Sequence, residues 1–324
     1  MVKFLIVRFS SIGDIVLTTP VIRCLNEQVE DSEIHFLTKK KFVPILESNP
    51  YIAQLHSLDN NFSILIKQLK NEQFDYIIDL HRNLRTLRLK TSLHRISFSF
   101  KKLNLRKWLA VNFKINRLPD IHIVDRYFDT LKIFSVINDN KGLDYFIPAN
   151  EEVNPEDLSK DLLPGYVVII VGGGHNTKQI PVEKLTEIIN ELKKPVVLIG
   201  GKEDINKADK ITADIRKSLT NLTGKLSVNQ SASVIRQAQV ILTPDTGMMH
   251  IAAAFQKRII SVWGNTIPEF GMPAYQPVEN SAIFEVNNLS CRPCSKIGYK
   301  KCPKKHFKCM YDQDYDLIIN LLNE

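Results

Sequence analysis

Two stretches of the chain carry residue types whose spacing could do chemistry. The first is VILTPDTGMMHIAAAF at 240–255, where an apolar run ends in Pro244-Asp245-Thr246-Gly247 and opens into a helical pattern of small residues. The free N–H groups and the dipole at such a helix start attract anions. Gly247 would let a diphosphate approach the backbone. Thr246 would add a hydroxyl donor, and His250 in the first turn would reach the same group. The plain structural alternative is a capped helix, with Asp245 or Thr246 as its N-cap. The second stretch is RFSSIGDIVLTTP at 8–20, directly after the apolar run Phe4-Leu-Ile-Val7. Ser10, Ser11, Gly13 and Asp14 crowd one turn, which reads as a phosphate cradle, a catalytic corner or a well-made turn. Thr19-Pro20 fits an N-cap and first helical position.

Two further segments add candidates. In IIVGGGHNTKQIP, 169–181, three glycines follow a strand-like run and Lys178 follows them. This is neither G-x-x-x-x-G-K-[ST] nor a full G-x-G-x-x-G. The glycines still permit close backbone approach, and a lysine can neutralise a phosphate; the alternative is a strand-to-helix turn with a surface lysine. In LIGGKED, 198–204, Glu203 stands where it could reach a ribose from a strand end, or serve as a first-turn helix acid. Asp245-Thr246-Gly247 does not mark an aspartic protease, which needs two such aspartates, because the chain has one Asp-Thr/Ser-Gly run.

These residues need elements to hold them. Apolar runs near 3–9, 33–37, 52–58, 74–80 and 94–100 read as strands with amphipathic helical stretches between them, and a longer helix is expected near 121–137. A polar, turn-rich segment at 138–164 reads as a linker. The alternation then restarts, with strands at 166–171, 196–199, 240–242 and 258–262 and helices at 182–193, 203–218 and 247–256. Near-continuous apolar strands alternating with helices imply parallel sheets covered on both faces. The expected fold class is therefore α/β, with two Rossmann-like domains facing across a cleft. The expected boundaries are 1–150 and 151–324, the final helical stretch 315–322 packing back on the first domain. Ligands of such sheets bind at the carboxyl ends of the strands.

Composition narrows the class. The chain has 324 residues, 44% of them hydrophobic and 24% charged, with a formal net charge of +8. The length suits two domains, and the charge suits an anionic partner. No apolar run approaches the ~18–20 residues that span a bilayer, and the N-terminus runs straight into a strand, so a cytoplasmic protein is expected. From Leu80 to Pro119 there is no acidic residue, while Arg82, Arg85, Lys101, Lys102, Arg106 and Lys107 are among the basic ones. Trp108 and Phe113 are interleaved, and LNLRKWLAVNFKI has the character of an interfacial helix. It could rest on an anionic membrane surface or be a solvated basic face. No recognised nucleic-acid module is present, so no nucleic-acid partner is expected. Cys291, Cys294, Cys302 and Cys309 have C-x2-C-x7-C-x6-C spacing, open to a structural zinc, paired disulfides or free thiols. Cys24 reads as a small core residue.

Taken together, RFSSIGDIVLTTPVIRCL, DLHRNLRT (79–86), TKQIPVEKL, LIGGKED and TPDTGMMHIAAAFQKRIISVWGNTIPEFGMP resemble, in order, the motifs of glycosyltransferase family 9, whose best-known members are lipopolysaccharide core heptosyltransferases. The resemblance runs over most of the chain. It implies the GT-B fold, with the nucleotide-diphosphate-sugar donor in the second domain and the acceptor in the first. It also implies inverting transfer without a catalytic metal, ADP-heptose as the usual donor, and an anionic glycolipid acceptor at the cytoplasmic face of the inner membrane. By the same resemblance Asp14 matches the proposed general base. Lys178, Glu203, Asp245, Thr246, Gly247 and His250 match the donor site, and Arg82 and Arg85 stand where the family presents basic groups to the acceptor. Ser10, Ser11 and Gly13 shape the turn that carries Asp14 on the acceptor side. One departure concerns the donor: where family heptosyltransferases often read K-x-W-P, this chain has Lys178-Gln-Ile-Pro181, which weighs against ADP-heptose in particular. A non-catalytic nucleotide-sugar or glycan-binding module on the same scaffold is the rival reading.

Overall fold

The computed structural model describes residues 1–59, 61–215 and 217–324. The chain divides into two compact units. One comprises Met1–Lys102 with Ile121–Pro148, the other Leu103–Asp120 with Ala149–Glu324. The stretch 103–120, expected in the first domain, thus belongs to the second unit.

The first unit holds five strands: β1 (Val2–Val7), β2 (Ser32–Lys39), β3 (Gln54–Leu58), β4 (Tyr76–Asp79) and β5 (Ile96–Ser99). All pair in parallel, in the order β3-β2-β1-β4-β5. The central strand β1 buries Phe4, Leu5, Ile6 and Val7 completely, which is why it reads as an unbroken apolar run. Beneath the sheet, Leu65 and Leu69 of the helix Phe62–Asn71 pack with Phe74, Ile77 and Leu89. The single helix expected near 121–137 is instead Ile123–Phe128 followed by a 3-10 turn at Lys132–Phe134. The break falls where the Thr130 hydroxyl donates back to the Tyr127 carbonyl at 2.7 Å, a bond that competes with helix continuation.

The second unit holds β6 (Val167–Ile170), β7 (Val196–Ile199), β8 (Leu219–Asn221), β9 (Val240–Pro244), β10 (Arg258–Trp263) and β11 (Ala282–Glu285), all parallel in the order β11-β10-β9-β6-β7-β8. The two edge strands, β8 and β11, have no counterpart in the sequence reading. They are short and half-exposed, so they lack the continuous apolar run that marks the four central strands. The helix expected at 203–218 spans Ile205–Ala213, and residue 216 of that reading lies outside the described residues. The final helix, Tyr315–Asn323, packs within the second unit instead of returning to the first. Tyr315, Ile318 and Leu322 join the core of Leu185, Ile188 and Ile189, and Asn323 Oδ1 accepts from Lys193 N at 2.7 Å.

Candidate functional site

In each sheet the strand order reverses at one place, and the candidate catalytic, donor and acceptor residues follow the two strands that flank it, except Glu203, which follows β7. In the first unit the reversal lies between β1 and β4; in the second it lies between β6 and β9. The crevice outside the carboxyl ends of strands at such a reversal is where open α/β sheets bind ligands.

In the first unit, Ser10 and Ser11 lie in the turn after β1, and Gly13 and Asp14 in the short helix Ile12–Val16 that follows, with Ser11 at its N-cap position. The Asp14 carboxylate is fully engaged. Arg8 Nη2 lies 2.5 Å from Oδ1, and the Ser11 N–H and hydroxyl donate to Oδ2 at 2.9 and 2.8 Å. Burial works against the carboxylate, but Arg8 and the Ser11 bonds outweigh it and hold Asp14 below the usual carboxylate range. Arg8 is itself buried and anchored, with Nη1 donating to the Leu80 carbonyl and to the Tyr127 hydroxyl at 3.1 Å. Arg8 directly follows a strand whose last four residues are buried, and a charged residue in that place must find a partner.

The turn after β4 is built on Asp79, which is fully buried. Its Oδ1 accepts from the N–H groups of His81 and Arg82 at 3.1 and 2.6 Å, and Lys90 Nζ pairs with Oδ2 at 3.1 Å. That anchoring sets out Arg82, with its guanidinium on the Phe100 carbonyl at 3.1 Å, and Arg85, lying 5.9 Å from the Phe9 ring. His81 and Lys102 complete this cluster. Burial, with Arg8 and Lys102 beside it, pushes the His81 imidazole down to about 4. Burial and then Arg8 lower Lys102, against the pull of Asp79 and Asp14. The structure thus brings Ser11, Asp14 and the Arg82 turn into one charged cluster in which Arg8, His81 and Lys102 are additions.

In the second unit, Lys178 Nζ lies 2.5 Å from Asp245 Oδ2, and the Thr266 hydroxyl donates to the same oxygen at 2.9 Å. Thr246 Oγ1 lies 3.1 Å from Thr243 Oγ1. The helix Gly247–Ala254 starts with Thr246 at the N-cap position but without any side-chain cap bond. The capped-helix reading required Asp245 or Thr246 to satisfy those N–H groups; Asp245 turns to Lys178 and Thr246 to Thr243. His250 is buried in this helix. Glu203 is exposed on the turn Lys202–Asp204.

Its neighbour Asp204 is the buried acid. It accepts from Gly201 N at 2.9 Å, and any side chain at Gly172 would run into its carboxylate. Lys207 braces the same loop, donating to the carbonyls of Ile180 and Val171 at 2.7 and 3.0 Å and to Gln179 Oε1 at 3.2 Å. Burial brings its ammonium down to about 8. Neither residue stood out in the sequence, since each looks like an ordinary polar residue of a helix surface.

The late cysteines are free thiols. Cys294 Sγ donates to the Cys291 carbonyl at 2.9 Å, and Cys291 Sγ lies 3.8 Å from His306 Nε2. Burial, then Cys291, pushes Cys294 up to about 11; burial pushes Cys309 up to about 12. Among the described residues His35, His56 and Glu72 each offer one donor atom within 4.8 Å of the others, while Cys291, Cys294 and Cys302 all act electrostatically on Cys309. The basic helix forms at Asn104–Phe113, with Leu105 70%, Trp108 45% and Phe113 58% exposed.

Two parallel α/β units, each with polar and charged groups gathered at its topological switch point, define a GT-B type scaffold. Residues 63–305 match the family described as "Glycosyltransferase family 9 (heptosyltransferase)", and the chain belongs to that family. It is 26% identical over 315 residues to lipopolysaccharide heptosyltransferase 3 of Escherichia coli K12, covering 91% of this chain and 88% of that one. It is also 26% identical over 215 residues to lipopolysaccharide heptosyltransferase 1 of Campylobacter coli. That match covers 63% of this chain and 56% of the Campylobacter protein. In fold it is similar to the E. coli ADP-heptose LPS heptosyltransferase II, with a TM-score of 0.71, 16% identity and coverage of 99% and 97% of the two chains.

Proposed function

We propose that the protein transfers heptose from ADP-heptose, with inversion, to a lipopolysaccharide core or related anionic glycolipid. The observation that carries this reading is the uncapped start of the helix Gly247–Ala254 beside Lys178, in a chain of the heptosyltransferase family. The leaving diphosphate gains negative charge as the sugar–oxygen bond breaks. Backbone N–H groups of that helix start and the Lys178 ammonium, fixed in advance by Asp245, which Thr266 holds in turn, would stabilise it without reorganising. Thr246, Gly247 and His250 complete the donor site, and Glu203 is assigned to the ribose.

The acceptor hydroxyl oxygen attacks the anomeric carbon from the face opposite the diphosphate, the carbon–oxygen bond to the diphosphate breaks, and the hydroxyl proton passes to Asp14. Arg8 and Ser11 keep Asp14 ionised and oriented, at the expense of its basicity, so the proton moves once the attacking oxygen has become acidic through bond formation. Ser10, Ser11, Gly13, Arg82 and Arg85 are assigned to the acceptor. No step in this scheme calls for a metal ion.

The Lys178-Gln-Ile-Pro departure bears less on the donor than its sequence suggests. Ile180 is 1% exposed and packs in the second unit's core, so an aromatic-to-aliphatic exchange there changes packing. The exposed apolar and basic face of Asn104–Phe113 supports peripheral binding to an anionic membrane, and no described helix is long and apolar enough to cross one. The test is turnover. Purified protein is given a panel of nucleotide-diphosphate sugars, ADP-heptose first, with a core glycolipid acceptor. Release of ADP coupled to glycolipid extension is expected; nucleotide binding with no transfer to any acceptor would favour the non-catalytic reading.

A further inference from the structure

The first unit carries a second cluster of chemistry-bearing side chains, at a distance along the strands from the turns after β1 and β4. His35 on β2 and His56 on β3 are diagonal neighbours, since Leu37 is the register partner of His56. His35 Nδ1 lies 2.9 Å from His56 Nε2. His35 Nε2 lies 2.7 Å from Glu33 Oε1. Glu72, at the end of the helix Phe62–Asn71, supplies a carboxylate, and one donor atom from each of His35, His56 and Glu72 lies within 4.8 Å of the others. Both imidazoles are buried, with Phe74 edge-on to each, whereas the Glu72 side chain is 25% exposed.

The hydrogen positions follow from the partners. The Glu33 carboxylate can only accept, so His35 Nε2 carries a hydrogen, and a neutral His35 presents a bare Nδ1 to His56. One hydrogen then holds the two rings together. We propose that a divalent transition ion, zinc or a close relative, replaces it, bound by His35 Nδ1, His56 Nε2 and a Glu72 oxygen. His56 meets this by shifting its hydrogen from Nε2 to Nδ1, with no net loss of a proton. Two imidazoles and one carboxylate with a fourth position left to water suit zinc. Glu33 stands as the outer carboxylate that accepts the other ring N–H of a metal-binding histidine, the arrangement that fixes tautomer and orientation in such sites. Lys3 Nζ, 3.0 Å from Glu33 and 3.8 Å from Glu72, balances the two carboxylates when no ion is bound. The ion would tie β2, β3 and the helix end of the first unit together.

The experiment uses the full chain, stripped with EDTA and titrated with Co2+ and Zn2+. Thiolate ligation gives Co2+ an intense near-ultraviolet charge-transfer band, so an equivalent bound without that band reports a nitrogen–oxygen site apart from the cysteines. The wild type is expected to take up one such equivalent and to melt at a higher temperature with Zn2+ than in EDTA. Glu72→Gln, at a partly exposed position, is expected to weaken that equivalent about tenfold or more, with an unchanged melting temperature in EDTA as the check that the fold is kept. Glu33→Gln is expected to weaken it about 10–100-fold. Absence of a non-thiolate equivalent in the wild type, or equal affinity in Glu72→Gln and the wild type, would overturn the proposal.

Discussion

Lys178 and Asp245 form an ion pair across the topological switch point of the second unit, Nζ to Oδ2 at 2.5 Å. They lie 67 residues apart in sequence, on the loops that follow β6 and β9. The pair places a cation beside an uncapped helix start and leaves the aspartate, tied to Thr266, as its anchor.

Lys178→Ala is therefore expected to lower kcat about 10²–10³-fold, as loss of a fixed donor to a developing anion does. Asp245→Asn keeps a partner for Thr266 but frees the ammonium, and a smaller loss of about tenfold is expected. Steady-state assay of nucleoside diphosphate release measures both; wild-type kcat in Lys178→Ala would remove it from the reaction.

Asp14→Asn is expected to lower kcat about 10²–10⁴-fold. Because Arg8 and Ser11 hold Asp14 below the usual carboxylate range, the acidic limb of kcat/KM should lie below the ordinary carboxylate pKa. Arg8→Gln removes the opposing charge, so the limb should move to higher pH. A limb that stays in place in Arg8→Gln would separate Asp14 from the titration.

His81 makes a contribution to stability that depends on pH. Its imidazole ordinarily titrates near 6.5 and is pushed down to about 4 in the fold. As pH falls below 6.5 the unfolded chain takes up a proton that the folded chain refuses, so stability is lost between about 6.5 and 4 and levels off below. The loss is of order 3 kcal/mol. Urea melts at pH 7 and pH 4.5 should show a smaller difference in His81→Gln than in the wild type.

Ile180→Ala should cost about 2–5 kcal/mol of stability, as a truncation in a packed core does, while leaving the order of preference among nucleotide sugars unchanged. A donor screen on the variant at low temperature, beside its melting curve, checks both. A changed donor order would return this position to the sugar site.

Trp108 and Phe113 lie in edge-to-face contact, 5.2 Å between centroids, on the exposed basic helix. Replacing both with alanine should reduce co-sedimentation with anionic vesicles about tenfold or more. Turnover with a water-soluble acceptor should be kept. Equal sedimentation of variant and wild type would leave this face without a membrane role.

Much of this was legible in the chain itself. The runs Phe4–Val7 and Val167–Ile170 announce buried parallel strands because both of their faces must leave water. The helix start at Gly247 was visible because a strand, a turn and a run of small residues follow one another locally. What stayed hidden depended on remote partners. Arg8 looked like the flank of a strand until Asp14, Leu80 and Tyr127 closed around it. Asp204 and Lys207 looked like surface residues of a helix until Gly172 and the carbonyls of Val171 and Ile180 met them. β8 and β11, edge strands of three and four residues that are largely half-exposed, carry no continuous apolar run to mark them.

The sequence by itself determined the strand-and-helix alternation, two parallel α/β units and the turns that carry Asp14, Lys178 and Asp245. These follow from short-range periodicity and from which residues must be buried. Only the tertiary structure decided that β1 lies beside β4 and β6 beside β9. Strand pairing joins segments far apart in the chain, so no local pattern encodes it. That adjacency makes Lys178 the partner of Asp245, gathers the Asp14 and Asp79 turns at one switch point, and brings His35 within 2.9 Å of His56.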